Sequence, residues 1–343
     1  MAEVTAAAAA HDLEAKRRSW LVRAGTTVAG LIVLLAVVNI ATHGDFLAPG
    51  NVLNILRQIA VNAILATGQT FVIITAGIDL SVGSLIALTG VLMAGTLGWA
   101  QAPLIGLLLA VLVGIGAGGI AGAINGTPVV KFGLPPFITT LAMMLMARGL
   151  AFMISGGRPI EIDNNPFDAL GSGLLFRGLS KISTVPGIPV PIIIMLAVVI
   201  VASYALGQTR FGRYVYAIGG NEEAARLSGI NVGRVKLSVY VISGALAGLA
   251  SLLLAARLSS GIPQSGTGYE LQSIAAVVVG GTSLMGGRGS IGGTFVGALL
   301  IGVLYNVMNL LNVQSYAQDV VLGAVILVAV LLDELRKRYL ASR

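Results

Sequence analysis

The chain has 343 residues, of which 56% are hydrophobic and only 10% are charged. Soluble domains average about 25% charged residues, so this composition excludes an ordinary water-soluble protein. The net charge of +7 does not point to nucleic acid as a partner, because basic residues of membrane proteins collect in cytoplasmic loops. The chain contains no cysteine, which excludes disulfides and thiolate metal sites.

Long apolar runs predict an all-α membrane protein, a polytopic bundle of about ten transmembrane helices. A helix needs about 20 apolar residues to cross the bilayer core, whereas a transmembrane barrel would show short strands of alternating polarity. The predicted spans, in chain order, are Leu21–Ala41, Val52–Ala76, Asp79–Gly98, Pro103–Asn125, Pro136–Ser155, Val190–Leu206, Val235–Ala256, Glu270–Met285, Ser290–Leu310 and Tyr316–Leu332.

Most of the 21 basic residues fall on one face of this arrangement, which predicts a cytoplasmic location for both termini. Residues 1–20 are predicted as a cytoplasmic tail rather than a cleaved signal peptide, and residues 333–343 as a second cytoplasmic tail. Residues 21–332 form the predicted transmembrane domain. Glu270–Met285 has the length of a re-entrant segment, but omitting this span would place the basic C-terminus outside, so we expect it to cross.

Glycines recur every fourth residue in three predicted spans. This spacing places them on one helix face, where two backbones can approach closely. Such faces are typical of helix packing seams, either static or sliding. The residues are Gly114, Gly118, Gly122 and Gly126, the pair Gly244 and Gly248, and the pair Gly293 and Gly297.

Polar side chains inside spans are rare enough to be candidates for function. Neutral amides beside an aromatic ring suit the path of an uncharged polar solute such as a sugar, although the same groups could equally cross-link helices. The candidate pathway residues are Asn62, Gln69 and Phe71 in the second span and Asn306 and Asn309 in the ninth.

Asp79 lies between the second and third spans. Its functional interpretation is a proton or cation site. The structural interpretation, which we favour, is a helix N-cap supported by Ser81, because Gly77 precedes it as a helix stop.

Two polar segments connect the spans. In residues 207–234, Asn221 is a good N-cap, Glu222 and Glu223 favour the positive end of a helix dipole, and Ser228-Gly229 ends the pattern. This predicts a short helix that packs against another surface. In residues 156–189, apolar residues around Phe167 predict an interfacial helix. Four basic residues on the predicted outer face are candidates for docking a protein: Arg158, Arg177, Lys181 and Arg257. The alternative is that the outer segment is a solvated loop.

The segments Gly68–Ser84 and Val279–Ser290 strongly resemble the hallmark motifs of the ribose-type family of bacterial ATP-binding-cassette (ABC) sugar importer permeases. The resemblance implies the permease fold of these importers, in the bacterial inner membrane. It implies three partners: an ATPase subunit, a periplasmic sugar-binding protein and a second permease copy, as a homodimer or close heterodimer. It also implies that the short helix is a coupling helix on the ATPase, formed by Asn221, Glu222, Glu223, Ala224, Ala225, Arg226, Leu227, Ser228 and Gly229.

The chain has no Gly-Lys pair, so it lacks a Walker A phosphate loop. We therefore expect no catalytic residue and no cofactor on this chain, and ATP and Mg²⁺ on the partner subunit. A secondary transporter or channel for a small neutral solute is the alternative, but it would call for several ionisable residues within the spans. A membrane enzyme is disfavoured, because His11 and His43 lie in a tail and a loop. A pathway for ribose, xylose or galactose would need much the same lining side chains, so the sequence does not identify the sugar.

Overall fold

The computed structural model describes residues 38–99, 102–175 and 187–341, with side chains described as far as residue 331 except at residue 165. The predicted tail 1–20 and nearly all of the predicted span Leu21–Ala41 lie outside the described residues. Within them the chain is mostly helical, as predicted for an all-α membrane protein.

Twelve helices follow a short helical stretch at residues 38–41 in the described part of the chain. They are α1 (Pro49–Ile74), α2 (Val82–Trp99), α3 (Pro103–Phe132), α4 (Pro136–Ser155), α5 (Asn165–Ser172), α6 (Val190–Gln208), α7 (Arg210–Gly220), α8 (Glu222–Leu227), α9 (Val232–Leu258), α10 (Tyr269–Val279), α11 (Ile291–Leu310) and α12 (Ser315–Ala341). Seven of these are long and apolar enough to span a membrane: α1, α2, α3, α4, α6, α9 and α11.

Proline and glycine set several helix ends. Helices α1, α3 and α4 begin with proline, which lacks the N–H that a first turn would leave unpaired. Gly133 and Gly156 end α3 and α4 with left-handed backbone, which costs glycine little. The N- and C-terminal bounds of α4 therefore match the predicted span Pro136–Ser155.

Two short antiparallel pairings join the loops. β1 (Ile160–Glu161) pairs with β4 (Ser260–Gly261), and β2 (Leu174–Leu175) pairs with β3 (Ile188–Pro189). The first pairing ties the loop after α4 to the C-terminal end of α9. The opposite end of α9 is joined to α6 through α7 and α8.

The predicted glycine seams are confirmed as close packing contacts. Helices α3 and α9 cross antiparallel, with Gly118 against Gly244 and Gly122 against Tyr240. A Cβ added at Gly118 would lie 2.1 Å from the Gly244 carbonyl oxygen, so the two backbones are in direct contact. Similarly, Gly297 of α11 meets the carbonyl oxygen of Ala276 in α10. The α10–α11 pair is thus a tight hairpin.

The predicted span Glu270–Met285 is wrong in its extent. Helix α10 ends at Val279, and its 11 residues rise only about 16 Å, roughly half of a bilayer core. Residues 280–290, here called the glycine turn, follow it, and Gly281, Gly286 and Gly287 adopt positive φ there. Hydropathy alone does not separate a full span from an apolar half-helix followed by an apolar turn.

Residues 262–268, here called the irregular segment, connect β4 to the half-helix α10. Their backbone lies against α2: a Cβ at Gly266 would meet the Gly83 carbonyl oxygen at 2.3 Å, and one at neighbouring Gly261 would meet that of Gly90 at 2.7 Å. Non-helical backbone at membrane depth is tolerated where protein buries it, and α2 supplies that cover. The irregular segment therefore packs its backbone against α2 before α10 begins.

Candidate functional site

A cavity of about 150 Å³ lies between α1, α10, α11 and α12. Its size is that of a cavity that holds one benzene ring. The walls combine a few apolar groups with many neutral polar side chains, and none of the described residues that line the cavity is acidic or basic. The lining residues are Gln58, Ile59, Asn62, Tyr269, Gln272, Ile301, Gly302, Tyr305, Asn309 and Gln318.

Two predicted pathway residues, Asn62 and Asn309, line this cavity from different helices. Asn62 is buried, and among the described residues its Oδ1 atom has no hydrogen-bond donor. A buried amide oxygen normally has a partner, so this atom calls for a water or a ligand hydroxyl inside the cavity. Asn309 is exposed and its Oδ1 accepts a hydrogen bond of 2.8 Å from Gln318 Nε2.

Asn306, a third predicted pathway residue, has a partner of its own. Its side-chain amide exchanges two hydrogen bonds with that of Asn51, at 3.0 and 2.9 Å. This pairing closes one end of the α1–α11 contact, and a hydrogen bond of 2.7 Å between Thr70 and Thr294 closes the other. The cavity lies between these two polar contacts.

Gln69 and Phe71 do not line the cavity. Gln69 is fully buried and its Nε2 donates to the Asp79 carbonyl oxygen at 3.2 Å. The Phe71 ring packs 6.0 Å from the ring of Phe211, at the start of α7. Their contacts connect the end of α1 to neighbouring elements.

Sequence reasoning missed Gln58, Gln272 and Gln318. Each is an amide next to an apolar stretch, and each lies on a different helix. Their position in the chain signals polarity near a span, but only the tertiary arrangement of α1, α10 and α12 directs them to one cavity. The half-helix α10 matters here, because its first turn carries Tyr269 and Gln272, which both line the cavity.

Asp79 lies in a buried hydrogen-bond network rather than at the first position of α2. The helix begins at Val82, and Asp79 Oδ1 accepts from the Ser81 backbone N–H at 3.0 Å and from the Ser81 hydroxyl at 2.6 Å. Oδ2 accepts from the Ser243 hydroxyl of α9 at 2.9 Å. Asn125 of α3 donates to the Ser81 hydroxyl at 2.8 Å. The carboxylate thus joins the start of α2 to α9, and Ser81 extends the network to α3, a structural role wider than the predicted cap.

Arg148 of α4 supports the irregular segment. Its Nη1 donates to the carbonyl oxygens of Pro263 and Ser265 at 2.7 and 2.8 Å. These bonds satisfy backbone groups that a helix would have paired internally. Arg148 therefore fixes the stretch of chain from which α10 starts.

The predicted short helix is α8, and Asn221 caps it as expected, accepting from the Ala224 N–H at 3.0 Å. Glu222 forms ion pairs with Arg226 and with Lys236 of α9. Ala225 is buried, whereas Leu227 is 81% exposed. Sequence reasoning missed the preceding helix α7, which Thr209 caps and whose buried Val215 and Ile218 lie on one face.

The predicted docking residues are only partly described. Arg158 and Arg257 are exposed, and the β1–β4 pairing brings their loops to the same end of the molecule, opposite to α8. Arg177 and Lys181 lie outside the described residues. The predicted interfacial helix is α5, whose Phe167 is fully buried against protein.

The part of the chain that the structure describes contains no group of three or more His, Asp or Glu side chains placed to hold a metal ion. The side chains that line the cavity offer hydrogen bonds from neutral amide and phenol groups. This chemistry suits recognition of an uncharged solute.

Comparison with known proteins identifies the family of this chain. A family model described as the permease component of branched-chain amino acid transport systems matches residues 51–330. The chain is 47% identical over 316 residues to the ribose import permease protein RbsC of Escherichia coli K12, covering 92% of this chain and 95% of that protein. It is 48% identical to RbsC of Haemophilus influenzae, covering 88% and 90%. It is 35% identical to the xylose transport system permease protein XylH of Escherichia coli K12, covering 91% of each. No solved structure matches the chain.

Proposed function

The chain belongs to the family of permease components of branched-chain amino acid transport systems, and we propose that it is the membrane permease of an ABC importer for a monosaccharide. The similar proteins named for ribose and xylose import support a sugar over an amino acid. We place the protein in the bacterial inner membrane with both termini cytoplasmic.

The neutral polar cavity is the observation that carries this proposal. A monosaccharide presents hydroxyl groups, which both donate and accept hydrogen bonds, and the amides of Asn62 and Gln272 offer both kinds of partner. A branched-chain amino acid carries an ammonium and a carboxylate group, which call for charged partners or helix-dipole partners in a membrane. Since no charged side chain lines the cavity, its chemistry favours a neutral sugar.

We assign the substrate pathway to this cavity, with Asn62 and Asn309 as its two predicted members. Asn62 offers an unpartnered buried oxygen, and Asn309 is exposed on the cavity wall. The proposal does not rest on Gln69, Phe71 or Asn306, whose side chains are engaged in packing or in hydrogen bonds elsewhere. Hydrogen bonds between neutral groups are individually weaker than charge-assisted ones, which suits a step that must release its substrate.

ATP hydrolysis is assigned to a separate subunit that binds ATP and Mg²⁺, because the chain has no Gly-Lys pair and hence no Walker A loop. We propose that α8 with its flanking residues, Asn221 to Gly229, contacts that subunit. An exposed Leu227 beside the charged pair Glu222 and Arg226 gives the helix an apolar contact with a polar rim.

The opposite end is the proposed docking surface for a periplasmic sugar-binding protein, with Arg158 and Arg257 exposed there. A second permease copy would complete the assembly. In this arrangement the binding protein delivers sugar at one end, and closure of the ATPase dimer moves α8 at the other.

The test is uptake by the complete complex in proteoliposomes. With binding protein, ATPase and ATP present, labelled ribose or xylose should accumulate and leucine should not. Replacing Asn62 by Ala should slow sugar uptake about fivefold, the effect of one net hydrogen bond. Asn54→Ala is the matched control, because Asn54 is exposed on the same helix and outside the cavity. Leucine uptake in place of sugar would overturn the assignment.

A further inference from the structure

The glycine turn, residues 280–290, lies against the end of α1 and against α7, the helix that precedes the proposed ATPase-contacting helix α8. Gly287 N–H donates to the Ile74 carbonyl oxygen at the end of α1, at 2.9 Å. Helix α7 reaches the same place: a Cβ added at Gly219 would lie 1.7 Å from that oxygen and 2.5 Å from the Gly287 nitrogen. Three backbones therefore meet at one point, with no side chain between them.

A side-chain hydrogen bond reinforces this meeting point. The Tyr216 hydroxyl of α7 donates to the Gly289 carbonyl oxygen at 2.7 Å. Burial raises the pKa of Tyr216, so the hydroxyl keeps its proton and remains a donor. Gly289 directly precedes Ser290, which caps α11 by accepting from the Gly293 N–H at 3.0 Å.

A displacement of the glycine turn can reach the cavity through rigid backbone contacts. Helices α10 and α11 touch backbone to backbone at Gly280 and Gly293, and again at Ala276 and Gly297. The same two helices carry Tyr269, Gln272, Tyr305 and Asn309 on the cavity wall. A shift of the turn would therefore move both helices together and change the shape of the cavity.

On the other side, α7 is continuous with α8. The Asn221 N–H donates the last backbone hydrogen bond of α7 to the Ala217 carbonyl oxygen, and the Asn221 side chain caps α8 by accepting from the Ala224 N–H. Only this one residue separates the two helices, so α7 moves when α8 moves.

We infer that Tyr216 is a positioning residue for transport, which passes movement of the α7–α8 unit to the α10–α11 hairpin through its hydrogen bond to Gly289. This inference rests on the proposed function and adds the route by which the ATPase cycle reaches the cavity. Gly219 contributes as well, because its lack of a side chain keeps the backbones of α1, α7 and the glycine turn in contact.

The first experiment compares Tyr216→Phe with the parent in the reconstituted complex. The substitution removes one hydroxyl and leaves the ring. Sugar transported per ATP hydrolysed should fall about fivefold, while ATP hydrolysis and complex assembly stay at parental levels. Tyr204→Phe is the control, because Tyr204 is 66% exposed on α6 and away from the turn. An unchanged transport-to-hydrolysis ratio in Tyr216→Phe would overturn the inference.

The second experiment separates this inference from the proposed function. Since the chain has no native cysteine, Asn309→Cys reports access to the cavity through a water-soluble thiol reagent. Labelling should differ between the nucleotide-free and ATP-bound complex, and Tyr216→Phe should reduce that difference about fivefold. If Tyr216→Phe keeps the full difference, the inference alone fails. If labelling never responds to ATP even with Tyr216 present, both the pathway assignment and the inference fail.

Discussion

Replacing Gly118 by alanine should force α3 and α9 apart. The added Cβ would lie 2.1 Å from the Gly244 carbonyl oxygen, whereas ordinary contacts begin near 3.4 Å. The nearest atoms belong to the backbone, so they cannot rotate away, and the helices must separate by about 1 Å. Overpacking of this kind costs about 1–3 kcal/mol.

Gly119 provides a matched control on the neighbouring position of the same helix. A Cβ there would meet Val241 and Ala245 side chains at 3.8 and 3.9 Å, which are ordinary contacts. Alanine is favoured over glycine in a helix interior by about 0.5–1 kcal/mol, so Gly119→Ala should be neutral or stabilising. Because both substitutions gain this preference, they should differ in the free energy of unfolding by roughly the overpacking cost, 1–3 kcal/mol.

Thermal unfolding of the purified protein in detergent, monitored by size-exclusion chromatography, measures this difference in stability. The melting temperature of Gly118→Ala should lie roughly 1–4 °C below that of Gly119→Ala, because a chain of 343 residues shifts by about 1.4 °C per kcal/mol. Uptake should fall as well, because α9 carries Ser243, which donates to Asp79. A Gly118→Ala protein as stable as Gly119→Ala would refute the packing argument.

The remaining predictions concern three side chains. Asp79→Asn should retain uptake, because the amide oxygen still accepts from Ser81 and the Ser243 hydroxyl can accept from the new amide. Asp79→Ala should prevent assembly of the complex, since three buried donors lose their acceptor at about 1–3 kcal/mol each. Abolished uptake in a fully assembled Asp79→Asn complex would show that the carboxylate acts in transport. Arg148→Lys should lower the melting temperature, because the shorter ammonium cannot hold both carbonyls of the irregular segment; an unchanged melting curve would contradict this role. Glu222→Lys should preserve ATP hydrolysis and lower uptake about tenfold, since it places a third cation beside Arg226 and Lys236; normal coupled uptake would count against the α8 assignment.

Long apolar runs with clear end signals were predictable from the sequence. The span Pro136–Ser155 matches α4 in both bounds, and Asn221 caps α8 as its residue type indicates. These features depend on local chemistry, namely proline at a first turn, glycine after a last turn and an amide at an N-cap.

The broken crossing was not predictable by the same means. By hydropathy, Ile274 to Met285 is one apolar run. The second half of that run belongs to the glycine turn, which backbone contacts with Ile74 and Gly219 hold in place. Those partners lie far away in the sequence. The same holds for the cavity, where Gln69 and Asn62 have similar sequence contexts on α1 but only Asn62 faces the α10 half-helix.

The central claim is that this chain moves a sugar only when a separate ATPase drives it. Uptake of labelled ribose or xylose into proteoliposomes, measured with the permease alone and with the complete complex, tests that claim most directly. The account predicts uptake only when the ATPase subunit, the binding protein and hydrolysable ATP are all present. Sugar accumulation by the permease alone, driven by an ion gradient or by no energy source, would contradict it.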